Sequence, residues 1–283
     1  MRVGRRLNRR GPEALGLVEA RGLPPLPIPE GRALPLRQGA LLLGLAAAWQ
    51  WLAPLGLRTG PDFFPLPSHV VQGFVTLLPT REFWESVAVS IARVAGGFGV
   101  GGLLGIPLGI CMGYSRRVEL AFDTMVELFR PLPAMAWIPI AILWFGVGNV
   151  SSVFLVSLGA FFPIVVNSAA GVKATGRIYQ RAARTLGAGP LLTLRKVVLP
   201  GALPSVILGC RIGIGVGWMV IVAGEMVGAQ SGLGFLIMKF RSFARIDWVV
   251  NCMVAIGLIG LGLDALVVRW QRRAVPWWGK EGT

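Results

Sequence analysis

The chain has 283 residues, of which 54% are hydrophobic and 14% are charged. A soluble domain carries charge on about a quarter of its residues, so this composition excludes an ordinary water-soluble protein and indicates a surface that faces lipid. The net charge of +15 fits either nucleic-acid binding or basic membrane loops, and the positions of the basic residues favour the loops and argue against nucleic acid.

Residues 1–37 are rich in arginine and proline and are predicted to form a disordered cytoplasmic tail. Six apolar segments follow, each about long enough to cross a bilayer. They are residues 39–57, 87–112, 126–146, 152–172, 205–227 and 248–269. The third contains Pro131, Pro133 and Pro139, which we expect to break or kink its cytoplasmic half.

Basic residues cluster in alternate connections between these segments. The tail holds eight arginines and the segment 173–204 holds six basic residues, whereas 58–86 has two and 147–151 has none. The loop 228–247 is a partial exception, with three. The positive-inside rule therefore places both termini and the 173–204 segment in the cytoplasm of a multi-pass plasma-membrane protein.

The predicted fold class is all-α, a polytopic membrane protein with about six transmembrane helices. The first helix is expected at 38–58, and a core of about five helices at 85–272. Glycines recur every fourth residue from Gly97 to Gly113 and again from Gly209 to Gly217. Such stripes allow close helix packing, either around a pathway or as general packing, and the sequence leaves both readings open.

Metal, cofactor and catalytic chemistry find no support in the sequence. Cys111, Cys210 and Cys252 lie in apolar stretches without a CxxC pair, and the single histidine, His69, lies in a polar loop. A membrane enzyme would need a cluster of His, Asp or Ser inside the spans, and none is evident in the sequence. No phosphate-binding GxxxxGK[ST] loop occurs, so the chain is not expected to hydrolyse ATP itself.

The basic segment 178–204 has a recognisable local shape. Residues 178–186 suit a short helix, Gly187 to Pro190 form a break, and residues 191–198 suit a second short helix that Pro200 would end. An amphipathic hook of this kind on the cytoplasmic side needs a partner surface. The alternative is an ordinary basic loop.

The same segment resembles the coupling loop of ABC importer permeases, written E-A-A, three residues, G, nine residues, I, one residue, L-P. The matching residues are Ala182, Ala183, Gly187, Val197, Leu199 and Pro200, while Arg181 replaces the leading glutamate. The resemblance implies a type I importer permease (MetI-like) fold whose loop docks on the ATPase. It leaves in doubt any contact that the glutamate would make there.

Further stretches resemble the nitrate/sulfonate/taurine subgroup of these permeases. They are residues 66–68, 129–146, 161–167, 211–218, 223–226 and 231–234, within a resemblance that covers about residues 60–275. It implies import of a small anionic solute of the sulfonate, taurine or nitrate type. Thiamine precursors and aromatic carboxylates remain alternatives.

By the same resemblance, the partners are two copies of an ABC ATPase, an extracytoplasmic substrate-binding protein and a second copy of this chain, all working in membrane lipid. The translocation pathway would lie at the homodimer interface. A secondary transporter is the less favoured alternative, because no inverted repeat or coupling-ion carboxylates are evident.

Five residues in the spans are candidates for the translocation pathway: Trp144, Asn167, Arg211, Trp218 and Glu225. Ionisable groups inside a bilayer are costly and therefore suggest function. Glu225 fits a structural or gating role, and Arg211 could instead extend to the interface. Arg130 is either an interface anchor or a group that attracts anions, and Asp264 is expected to cap a helix or pair with a neighbour.

Overall fold

The computed structural model describes residues 39, 41, 44, 45, 47–51 and 66–275. The chain divides into two units, Met1–Trp49 and Gln50–Thr283. In the first unit only a few residues between 39 and 49 are described, and these are helical. The predicted tail 1–37 lies outside the described residues, as does most of the predicted first span, so both stay predictions. The account below concerns the second unit.

Residues 66–275 form helices and contain no strand, which confirms the all-α fold class. The helices are α1 (Pro67–Leu77), α2 (Arg81–Tyr114), α3 (Arg116–Phe129), α4 (Ile138–Phe145), α5 (Asn149–Ala174), α6 (Arg177–Thr185), α7 (Pro190–Thr193), α8 (Leu199–Gly228), α9 (Leu233–Ser242) and α10 (Ile246–Ala274). A 3₁₀ helix (Ala134–Trp137) precedes α4, and a π-helical turn (Leu194–Val198) joins α7 to α8.

Four helices in this part of the chain are long and apolar enough to cross a membrane: α2, α5, α10 and the continuous helical run Pro190–Gly228. They contain the predicted second, fourth, sixth and fifth spans. The predicted third span corresponds to two helical arms with a break between them, called the broken span below. Its two arms, Arg116–Phe129 and Ala134–Phe145, are bent by 85° relative to each other. Pro131 and Pro133 lie in the break. They account for the interruption, because proline lacks the N–H that would continue the helix.

The prediction that Pro200 ends the second short helix was wrong. Helical structure runs without interruption from Pro190 to Gly228, so the fifth span begins well before residue 205. The π-helical turn directly precedes Pro200, and within it the N–H of Leu199 donates to the carbonyl of Leu194. This wider turn changes the hydrogen-bond pattern where the proline ring would otherwise clash with the preceding turn, so the helix continues.

Helix α5 lies at the centre of the unit, between α2 and α8. The α2 glycines 97, 101, 105, 109 and 113 all face α5, and a Cβ on Gly109 would lie 2.5 Å from the Val165 carbonyl oxygen. Gly209, Gly213 and Gly217 of α8 approach α5 in the same way. The stripes therefore serve helix packing within one chain, where lipid provides no hydrophobic drive and close backbone approach supplies the contact energy.

Replacing Gly109 with valine should destabilise the protein, because the new side chain overlaps the α5 backbone. Overpacking of this kind costs about 1–3 kcal/mol. Gly99→Val is the matched control: Gly99 lies on the same helix, and a Cβ there has no neighbour within 4 Å. The measurement is the thermal unfolding midpoint in detergent. Equal midpoints for the two variants would contradict the packing role.

Candidate functional site

The segment that resembles a coupling loop was predicted at 178–204, and its first helix, α6, begins one residue earlier, at Arg177, and has the predicted nine residues. Residues 177–204 are called the coupling segment below. Gly187 ends it with a φ of +85°, a left-handed conformation that residues with a Cβ rarely adopt. The N–H of Ala188 donates to the Ala183 carbonyl (3.0 Å), and the N–H of Gly187 donates to the Arg184 carbonyl (2.9 Å). This is the Schellman pattern, so the glycine bend satisfies the last carbonyls of the helix.

The second half of the coupling segment is fastened to the bundle. Thr193 and Val198 are buried, and Val198 packs with Val172 and Ala202. The Tyr114 hydroxyl at the end of α2 donates to the Pro190 carbonyl at 3.3 Å. Of the motif residues here, Val197 and Leu199 are half-buried and Pro200 is exposed.

The first half of the coupling segment presents an apolar surface to its surroundings. Ile178 and Tyr179 are 73% and 66% exposed, and Leu186 beside the bend is 88% exposed. Arg181 and Ala182 are exposed too, while Ala183 is half-buried. Residues 177–204 include five basic and no acidic side chains. Large exposed apolar side chains grouped in this way are typical of a surface that contacts a protein or a membrane.

Glu225 lies in a buried polar cluster near the C-terminal end of α8. Its side chain accepts hydrogen bonds from Arg93 Nη1 (2.7 Å) and the Gly234 N–H (3.0 Å). Ser90 Oγ donates to the same carboxylate from 2.8–2.9 Å. Glu225 is 1% and Arg93 4% exposed. A buried ion pair is stable only when further hydrogen bonds satisfy both groups, and here they do.

The Arg93 side chain also fixes the connection between α8 and α9. Nη1 donates to the Ser231 carbonyl (2.7 Å), Nη2 to Ser231 Oγ (2.9 Å) and Nε to Asn149 Oδ1 (2.8 Å). A Cβ on Gly232, whose φ is +109°, would overlap the Glu225 carboxylate. The cluster thus joins α2, α5, α8 and α9, and it unites the two sequence stretches 223–226 and 231–234.

Sequence reasoning missed Arg93, although a signal is present. Arg93 lies inside the second predicted span, and an arginine there is as costly in lipid as a glutamate such as Glu225. A glutamate inside a span needs a cation to neutralise it, and Arg93 is a basic residue inside another predicted span.

The other pathway candidates do not gather around Glu225. Trp218 is buried and donates its indole N–H to the Ile256 carbonyl (3.1 Å), which packs α8 on α10. Arg211 makes a two-pronged ion pair with Asp264 at 2.6 and 2.8 Å, confirming that Asp264 pairs with a neighbour. Trp144 is 61% exposed and contacts neighbouring phenylalanine rings.

Asn167 lies on the wall of an open cleft of about 330 Å³ between the broken span, α5 and α8. Its Nδ2 donates to the Pro163 carbonyl at 2.8 Å. Whether any of the five residues contacts a solute stays a prediction. Within residues 66–275, no group of three or more His, Cys, Asp or Glu side chains is arranged to hold a metal ion.

Comparison with known proteins decides the family. Residues 103–280 match the model for the binding-protein-dependent transport system inner membrane component. The chain belongs to this family. It is therefore a multi-pass membrane protein and a translocating subunit, which confirms the resemblance drawn from the coupling segment.

Individual relatives agree over most of the chain. A putative ABC transporter permease of Methanocaldococcus jannaschii is 45% identical over 69% of this chain and 73% of its own. The taurine transport system permease TauC of Escherichia coli is 37% identical over 89% and 93%. The putative aliphatic sulfonates permease SsuC of Bacillus subtilis is 34% identical over 82% and 84%. TauC and SsuC place this chain in the nitrate/sulfonate/taurine subgroup of ABC permeases.

A solved structure supports the fold. The MetNI methionine ABC transporter in an inward-facing conformation aligns with a TM-score of 0.56 and 22% identity, over 72% of this chain and 96% of that one. At this identity the likeness concerns the fold alone, and it confirms the MetI-like permease fold.

Replacing Glu225 with alanine should destabilise the protein by about 3–5 kcal/mol, because Arg93 would remain buried without a counter-charge. The measurement is the unfolding midpoint in detergent. Glu85→Ala is the control, since Glu85 pairs with Arg81 through side chains that are 59% and 92% exposed and such pairs contribute little. If both variants unfold at the same temperature, the buried pair does not hold this end of the bundle together.

Proposed function

We propose that this chain is the membrane-spanning permease of an ABC importer for a small anionic solute of the sulfonate, taurine or nitrate type. The observation that carries the proposal is the coupling segment, an exposed apolar hook fastened at one end to the bundle. The named substrates of the taurine and sulfonate permeases supply the solute class. A thiamine precursor or aromatic carboxylate is the alternative solute.

ATP hydrolysis belongs to a separate subunit in this proposal. The sequence lacks a phosphate-binding loop, and Ile178, Tyr179 and Leu186 form the surface on which an ATPase would dock. Two ATPase copies follow from two copies of the permease. An external binding protein delivers the solute, in keeping with the binding-protein-dependent transport of the family.

The chain is proposed to work as a homodimer with both termini in the cytoplasm. The Arg211–Asp264 pair supports the dimer, because its side chains are 42% and 46% exposed within apolar helices. A charge pair that faces lipid is costly, so this face is expected to meet a second copy or water. The distribution of basic residues supports the orientation.

The function is tested by reconstituting the permease with its ATPase and binding protein in liposomes. We expect ATP-dependent uptake of taurine or a short alkanesulfonate that requires all three proteins. Liposomes without the binding protein are the control. Uptake driven by an ion gradient without ATPase would contradict the importer. Uptake restricted to cations or sugars would contradict only the solute class.

Replacing Gly187 with valine should uncouple ATP hydrolysis from transport, because a β-branched residue cannot readily adopt the left-handed bend that orients α6. The measurement is the number of solute molecules moved per ATP hydrolysed in the same liposomes.

Gly189→Val is the matched control. Gly189 lies two residues away and has an ordinary φ of −68°. A Cβ added at Gly189, like one added at Gly187, would have no neighbouring atom within 4 Å. Unchanged coupling in Gly187→Val, or equal loss in both variants, would show that the bend itself is not required.

A further inference from the structure

The cleft beside Asn167 lies near the middle of the membrane-spanning part of the bundle. Its wall includes Phe162 of α5 and Ile212 and Val216 of α8. At a rise of about 1.5 Å per residue, Phe162 is about 20 Å from either end of α5. The cleft is therefore far from both headgroup regions.

The broken span forms the third wall of the cleft through Arg130–Ala134. Irregular backbone at this depth is tolerated only where protein covers it or where it borders a water-filled cavity. Here it borders the cleft. Pro131 and Pro133 prevent a regular helix from closing over the space, so the break keeps the cleft open.

Arg130 supplies a positive charge to this wall. Its side chain is exposed, no acidic residue lines the cleft, and it makes no ion pair with any carboxylate in the described part of the chain. Arg93 and Arg211, by contrast, are each held by a carboxylate on a neighbouring helix. Arg130 thus lies in the irregular wall of the cleft and is a cation that a ligand could contact.

The chemistry of the wall fits an oxyanion. A guanidinium presents parallel N–H donors that match two oxygens of a sulfonate, carboxylate or nitrate. The Asn167 amide nitrogen uses one hydrogen on Pro163 and has a second to donate. The remaining wall is mostly apolar, and about 330 Å³ suits a molecule of a few heavy atoms.

We propose that this cleft is a transient site for small oxyanions crossing the membrane, with Arg130 as the anion-contacting residue. The inference rests on the proposed function and adds the position of the solute within the permease. A single cation in an open, mostly apolar cleft attracts an anion without enclosing it, which a pathway requires because the solute must also leave. Arg130 then serves the solute and is not an interface anchor.

The first test uses the reconstituted importer. Arg130→Gln should lower taurine or alkanesulfonate uptake about tenfold, the effect of losing one charge-assisted hydrogen bond. Stimulation of the ATPase by the loaded binding protein should persist. Arg130→Lys should restore part of the uptake, and Arg117→Gln, at an exposed arginine on α3, should leave it unchanged. Uptake by Arg130→Gln at the wild-type rate would overturn the proposal.

A second test probes the charge preference of the cleft without measuring transport. Asn167→Cys, in a chain without its native cysteines, is treated with methanethiosulfonate reagents that carry either a sulfonate or a trimethylammonium group. The sulfonate reagent should react several-fold faster relative to the cationic one, and Arg130→Gln should abolish this preference. A preference that does not depend on Arg130 would overturn the proposal.

The two tests separate the possible failures. If the wild-type importer moves no small oxyanion, the proposed function fails, whatever Arg130 does. If the wild type moves one and either the uptake or the reagent preference does not depend on Arg130, only the cleft assignment fails. An interface anchor would change the yield of folded protein in Arg130→Gln and leave the reagent preference intact.

Discussion

The close approach of α2 and α8 to the central helix α5 is the constraint on which the rest of the unit depends. Glycines at four-residue spacing let both helices contact the α5 backbone, which larger residues would prevent. This contact sets the helix spacing at one end of the bundle, where Arg93 of α2 reaches Glu225 of α8. It also sets the spacing at the opposite end, where Tyr114 of α2 supports the start of α7 at Pro190.

The two ends of the bundle differ in how they are held. At the end that contains Glu225, hydrogen bonds of Arg93 and Glu225 join four helices and the 229–232 connection into one cluster. At the opposite end, α6 exposes apolar side chains and is joined to α7 through the bend at Gly187. Side-chain surface that another protein could contact therefore lies at the α6 end.

The continuous helix from Pro190 to Gly228 links these regions. Because Pro200 does not interrupt it, the second half of the coupling segment, the cleft wall at Ile212 and Val216, and buried Glu225 all lie on one helical run. The coupling segment and this wall of the cleft are therefore joined by continuous helical backbone. The broken span on the other side of the cleft is interrupted at Arg130–Pro133.

The sequence alone determined the membrane class, the all-helical fold and the short helix that ends at Gly187, because each depends on local properties: apolar length, charge placement and the spacing of Ala182, Ala183 and Gly187. It also located the break near Pro131 and Pro133, since proline acts on its own turn. Only the tertiary structure decided what depends on distant contacts. Arg93 and Glu225 are 132 residues apart, and their pairing follows from how α2 and α8 pack on α5. Likewise, the continuation of the helix past Pro200 depends on a π-helical turn. The availability of the Arg130 charge depends on which carboxylates lie near it, and neither feature is a local property of the chain.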